Sequence, residues 1–206
     1  IQSSIFNKRL VELLDERTLH VSKWLASELG EPEWLEGYGL RFSHRLTFPP
    51  TKSTAEIQGG PSEGREPVFA NVYESDTAGG TVYRINPVFL DLMKKRNMYT
   101  PEVMSRIAED QGSVQAEDWL TDHEKKVFKT AFEVNQRDII RMTADAQRAM
   151  NATGGGQGQS TNIYIPADAK EEYISELHHE IFINEDIEAT YYIRSLNGAT
   201  KIKIDV

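Results

Sequence analysis

The stretch Arg41-Phe42-Ser43-His44-Arg45-Leu46-Thr47-Phe48-Pro49-Pro50-Thr51-Lys52-Ser53-Thr54-Ala55-Glu56-Ile57-Gln58-Gly59-Gly60 decides the fold class. Arg41–Phe48 reads as a short strand, and Pro49-Pro50 end it because proline has no N–H to give to a ladder. Thr51-Lys52-Ser53-Thr54 form a polar turn, Ala55–Gln58 a short helical stretch, and Gly59-Gly60 its stop. Strand, polar turn, helix is the grammar of an α/β protein.

The flanking sequence continues that alternation. From Ser3 to Leu29, Val11, Leu14, Val21, Trp24, Leu25 and Leu29 recur at helical spacings, and Gly30 and Pro32 stop the helix. Val68–Glu74 and Thr81–Ile85 read as two strands around a turn at Ala78-Gly79-Gly80. Pro87–Arg96 and Pro101–Asp110 are helices opened by proline in the first turn. A third starts at Thr121, where Thr121 and Glu124 make a capping box and Val127, Phe128, Ala131 and Phe132 an apolar stripe. Only the run Gly154-Gly155-Gly156-Gln157-Gly158, expected to be a flexible loop, interrupts it before a strand at Thr161–Ile165. Asp168 is the expected cap of a helix to about Ile183, with Tyr173, Ile174, Leu177 and Ile181 on one face. Strands at Ala189–Ile193 and Lys201–Val206 complete the pattern, and residues 1–206 read as a single unit.

Composition excludes several function classes. A net charge of -9 over 206 residues argues against a nucleic-acid face, which must neutralise phosphates with clustered Lys and Arg. No apolar run approaches the ~20 residues that span a bilayer, so no membrane partner is expected and the reading is cytoplasmic, in a host if the protein is viral. There is no cysteine, which removes disulfides, thiolate metal sites and thiol nucleophiles together. The first residue, Ile1, reads as the start of a processed, split or trimmed product of something larger.

Several features could carry chemistry. Pro50-Thr51-Lys52-Ser53-Thr54 gathers hydroxyls, an ammonium and helix-start N–H groups into an anion site, with an ordinary N-cap and a solvated lysine as the alternative. It lacks the glycine spacing of a Walker loop. Tyr191-Tyr192 lies on an expected strand, where alternation would put one ring in the core and one on the surface. His178-His179 with Glu180 and Glu185 lack the three- or four-residue spacing of helical ligands, so no metal site is expected, and His20 and His44 have no companion. Glu63, Glu66, Glu74 and Asp76 could supply an acid–base pair or be an exposed acidic loop. Glu185–Glu188 reads as a solvated turn.

Taken in order, Arg41-Phe42-Ser43-His44, Pro50–Thr54, Gly59–Pro67, Ile85-Asn86-Pro87, Val127–Glu133, Gly158–Asn162 and Ala189–Ser195 resemble the C-terminal region of ribonucleotide reductase large subunits, class I in particular, over nearly the whole chain. The resemblance implies the later part of a ten-stranded α/β barrel and radical reduction of ribonucleotides to deoxyribonucleotides. It implies that Pro50, Thr51, Lys52, Ser53 and Thr54 hold the substrate's diphosphate. Tyr191 and Tyr192 fall on the tyrosines that pass a radical from the small subunit to a catalytic cysteine, Tyr191 nearer that cysteine. In the family these rings stack, so regular strand alternation must break there, as it often does beside active sites.

The family's radical cysteine, redox cysteine pair, nearby Asn and Glu, cysteine-bearing tail and allosteric regions have no counterpart in this sequence. The resemblance therefore implies a chain that is inactive alone and joined to an N-terminal fragment of the large subunit, as in an interrupted phage gene. Implied partners are that fragment, a small (beta) subunit, a second copy in a dimeric large-subunit assembly, and thioredoxin or glutaredoxin. The chain itself would bind only the ribonucleotide, any radical or metal cofactor lying in the small subunit. The competing reading is a catalytically inactive half-barrel that binds a subunit or nucleotide.

Overall fold

The computed structural model describes residues 2–62, 64–77, 80–196 and 203–205. Along the chain these form α1 (Gln2–Leu29), β1 (Leu46–Phe48), α2 (Lys52–Ile57), β2 (Val72–Thr77), β3 (Gly80–Ile85), α3 (Pro87–Lys95), α4 (Pro101–Glu109), α5 (Asp122–Val127), α6 (Gln136–Asn151), β4 (Gly156–Gln159), β5 (Ile163–Ile165), α7 (Glu171–Phe182), β6 (Ile193–Ser195) and β7 (Lys203–Asp205). The α/β class is borne out. The chain divides into two compact units, one of the chain up to Pro49 with Gln136–Ile163 and Lys170–Tyr192, the other of Pro50–Asn135, Tyr164–Ala169 and the chain from Ile193.

In the first unit α1 packs on α6 by a face that keeps Val11 of the expected apolar set but turns most of the others outward. Val11, Asp15, Ser22 and Ala26 are buried, while Leu14, Val21, Trp24 and Leu29 are exposed. Polar groups decide the helix's rotation. Asp15 accepts from the Arg45 guanidinium at 3.1 Å, and Ser22 Oγ accepts the backbone N–H groups of Arg41 and Phe42 at 3.1 and 3.0 Å. That capture also takes Arg41 and Phe42 out of the expected strand, leaving only Leu46–Phe48 extended.

The second half of the glycine run forms a strand. Gly156–Gln159 pairs in parallel with β1, Leu46 opposite Gly156 and Phe48 opposite Gln159. A Cβ on Gly155 would run into the Arg45 guanidinium, and one on Gly156 into Asn151 and the Met150 backbone. Here glycine serves close approach rather than flexibility. α7 begins at Glu171 with Lys170 at its N-cap. Asp168 instead sits in the turn where the Ala169 N–H bonds to the Pro166 carbonyl. Its expected inner face holds, with Leu177 fully buried.

In the second unit β2 and β3 form an antiparallel hairpin paired from Val72–Ile85 to Thr77–Gly80. β7 lies parallel to β2, Glu74 opposite Lys203. Ala78 and Gly79 of the expected turn, and Lys201, Ile202 and Val206 of the expected last strand, lie outside the described residues. Thr121 and Glu124 form the expected capping box. The helix it opens ends at Val127, however, and a second one starts only at Gln136. Between them the Ala131 N–H bonds to the Val68 carbonyl at 2.7 Å rather than to the carbonyl four residues back, and the Thr130 N–H bonds to the Glu133 carboxylate. A tertiary partner thus ends a helix whose sequence pattern runs on. Phe89, Met93, Ile107, Val114 and Phe128 make this unit's apolar core.

Candidate functional site

The anion-site candidate opens α2. Pro49 and Pro50 end β1, and the Thr51 carbonyl accepts the Ala55 N–H at 2.8 Å, so Thr51 closes the first helical turn. Helix geometry gives the amides of that turn no carbonyl four residues back. Ser53 and Thr54 are exposed and Thr51 and Lys52 half-buried. The Gly60 N–H bonds back to the Ala55 carbonyl at 2.8 Å, ending the helix where the glycine pair predicts. Gly64 passes close enough that a Cβ there would stand 3.6 Å from Thr51 Oγ1. Beyond the helix, Gly59, Gly60 and Ser62 line a cavity of about 240 Å³ shared with Tyr73 and Arg84. The spacing of α2 gave no sign of Arg84, which arrives from β3 through the hairpin.

The two tyrosines lie just before β6, outside regular strand. Their ring centroids are 4.0 Å apart with the planes tilted by 53°, and both residues are about half exposed. The arrangement of one ring in the core and one on the surface, expected of a regular strand, does not hold. The reason is visible in the backbone. Tyr191 donates its N–H to the Thr161 carbonyl at 2.9 Å, and the Tyr192 carbonyl accepts the Ile163 N–H at 2.9 Å. Two residues therefore face the single residue Asn162, which is the defining count of a β-bulge. Asn162 Oδ1 accepts the Tyr192 N–H at 3.1 Å. Asn162 appears in the sequence only as part of a resembling segment, with nothing to mark this contact.

The acidic residues are dispersed among tyrosines. Glu66 accepts from the Tyr164 phenol at 3.3 Å and Glu74 from the Tyr83 phenol at 3.4 Å. Glu63 and the Asp76 side chain lie outside the described residues. His178 Nδ1 sits 2.7 Å from the Ile174 carbonyl on its own helix. Among the described residues no group of three or more His, Cys, Asp or Glu could hold a metal ion, and no helix is long and apolar enough to cross a membrane.

Residues 6–193 match the family model described as ribonucleotide reductase, barrel domain. The chain belongs to the ribonucleotide reductase barrel-domain family. It is 31% identical over 203 residues to the ribonucleoside-diphosphate reductase large subunit of Invertebrate iridescent virus 3, covering 97% of this chain and 31% of the relative. A putative large subunit from Frog virus 3 is 34% identical over 186 residues, 90% of this chain and 32% of the relative. Among solved structures, the Actinobacillus ureae class Id ribonucleotide reductase alpha subunit matches with a TM-score of 0.80 at 30% identity, over 96% of this chain and 35% of that one. The chain thus corresponds to the C-terminal part of the reductase barrel, as its motifs imply, and spans about a third of the length of these relatives.

Proposed function

We propose that this chain supplies the C-terminal part of the catalytic barrel of a ribonucleoside-diphosphate reductase, contributing a radical relay at Tyr191 and Tyr192 and a diphosphate-binding turn at Pro50–Thr54. The observation that carries the reading is the contact between the two rings at 4.0 Å. A phenol gives up an electron and a proton together, so a hop between adjacent rings turns the acceptor radical into a neutral phenol and leaves the radical on the donor. No charge is stranded, and ring contact keeps the hop short. An anion at the start of α2 gains from aimed N–H groups and the hydroxyls of Thr51, Ser53 and Thr54, with Lys52 adding charge.

The remaining chemistry must come from outside these 206 residues. Reduction of a ribose needs a thiyl radical and two further thiols, and the sequence has no cysteine. A cysteine-bearing portion of the large subunit, a small subunit whose radical or metal cofactor starts the relay, and thioredoxin or glutaredoxin as reductant complete the reading. A dimeric large subunit in the cytoplasm, a host's if the gene is viral, is its natural setting. This chain has no role in holding the cofactor.

The decisive experiment is deoxynucleotide production by the assembled reductase carrying Tyr191→Phe or Tyr192→Phe. Each change keeps the ring and removes the redox chemistry, so turnover should nearly vanish while substrate binding at equilibrium stays close to wild type. If the chain is instead an inactive binding half-barrel, each change costs at most one hydrogen bond, about 1 kcal/mol of stability, and leaves turnover intact. The turn is tested separately. Replacing Ser53 and Thr54 together by Ala should raise KM with losses of about 1 kcal/mol or more for each hydrogen bond to charged phosphate. An unchanged KM would put the phosphates elsewhere.

A further inference from the structure

We propose that Asn162 is the positioning residue of the tyrosine pair, its side-chain carbonyl holding open the bulge that sets both rings side by side. The proposal rests on the relay reading, but its structural part stands without it. In a regular parallel ladder one residue makes both bonds, giving its N–H to one carbonyl of the neighbouring strand and taking the N–H two residues further on. Here those two bonds are divided. Tyr191 donates to Thr161 and Tyr192 accepts from Ile163, each at 2.9 Å.

The ladder therefore offers no carbonyl to the Tyr192 N–H, and the residue directly opposite supplies one from its side chain, at 3.1 Å. Asn162 is only 7% exposed, so water is a poor substitute. Without that acceptor the segment gains by shedding its extra residue and returning to a one-to-one ladder. Adjacent residues of such a ladder point to opposite faces, which would part the rings. Asparagine suits the task because it reaches the amide as a neutral acceptor. A carboxylate reaches equally far, whereas serine falls short and leucine has no acceptor.

The test compares Asn162→Leu, Asn162→Ser and Asn162→Asp with Tyr191→Phe and Tyr192→Phe. Turnover and KM are read in the assembled reductase, and ring-to-ring nuclear Overhauser effects in the full chain with labelled tyrosines. The expected result is a tenfold or greater loss of kcat at unchanged KM in the leucine and serine variants, with loss of the ring-to-ring signal. Asn162→Asp should retain the signal and most of the turnover. A structural role alone would lower the thermal midpoint of all three without parting kcat from KM. Should Asn162→Leu misfold, the serine and aspartate pair decides by the same criteria. Leucine and serine variants that keep both signal and turnover, while the phenylalanine variants are dead, overturn the positioning role and leave the relay standing. Phenylalanine variants with full turnover sink the relay instead, and the ring-to-ring signal still decides whether Asn162 sets the geometry.

Discussion

The two units differ in what fills their interiors. In the second, Phe89 is fully buried with its ring 5.0 Å from Phe128 and 5.8 Å from Trp119, among Val72, Met93, Ile107 and Val114. In the first, a smaller apolar cluster of Val11, Ala146, Ala149 and Met150, with Leu46 and Phe48 against it, is joined by a buried polar set: Gln136, Thr143, Gln147, Gln159, Thr161 and Asn162. Gln159 Nε2 donates to the Thr143 carbonyl at 2.8 Å and to Gln147 Oε1 at 3.1 Å. Gln147 Nε2 donates to the Gln157 carbonyl at 3.0 Å, and the hydroxyls of Thr143 and Thr161 meet at 3.2 Å. Apolar packing is non-directional and tolerates small slides, whereas each of these bonds fixes one atom against another. The polar interior thus fixes the register of β4 and of Thr161, and Thr161 in turn anchors Tyr191.

That contrast predicts a graded set of outcomes. Phe89→Ala empties the centre of the apolar core and should cost about 3–5 kcal/mol of stability, read as a fall in the urea midpoint at unchanged slope. A loss no larger than that of a surface change would mean the core collapses freely around the gap. Next comes Gln147→Leu, which takes the donor from the Gln157 carbonyl and an acceptor from Gln159. It should cost about 1–3 kcal/mol. If the variant is as stable as wild type, the polar interior is no more exacting than the apolar one.

The smallest effect concerns Glu117, buried beneath the mostly exposed Arg106. Burial pushes its carboxyl up. Hydrogen bonds from Arg106 and the Trp119 indole, with the charges of Arg106 and Lys125, outweigh that and hold it below the usual carboxylate range. A depressed carboxyl stabilises the fold fully above its ordinary value and loses that contribution as pH falls through the depressed one. Glu117→Gln should therefore flatten the acid limb of the stability profile and leave the limb above neutral pH unchanged. The effect is small because water screens the exposed Arg106. An acid limb as steep as wild type in this variant would assign the acid sensitivity to other carboxylates.

Legibility followed the range of the forces. The capping box at Thr121 and Glu124 was readable because it closes within one turn, as was the proline-opened start of α3 and of α4. The inner face of α7 showed at Leu177 through plain periodicity. On α1 the same periodicity misleads, since the buried face includes Asp15 and Ser22, whose partners Arg45, Arg41 and Phe42 come from beyond the helix. Spacing drew Val127, Phe128, Ala131 and Phe132 as one stripe, and the bond from Ala131 to Val68 divides it. At the candidate site the sequence supplied the residue types and their order, but not Arg84 beside Gly59 and Gly60, nor Asn162 beneath the tyrosines.

By itself, then, the sequence determined the α/β alternation, the family, the helix starts and the positions of the two tyrosines and the Pro50–Thr54 turn. Each depends on residue identity and near-neighbour spacing, which a linear chain displays. Only the tertiary structure decided that part of a glycine run pairs as a strand with β1, which way α1 faces, and through which backbone bonds Tyr191 and Tyr192 come to share one side of their segment. Those outcomes depend on backbone groups finding partners far along the chain, and every residue carries the same N–H and C=O whatever its side chain. An amide's partner is set by what folding brings opposite it. For Tyr192 that is the side chain of Asn162, thirty residues earlier.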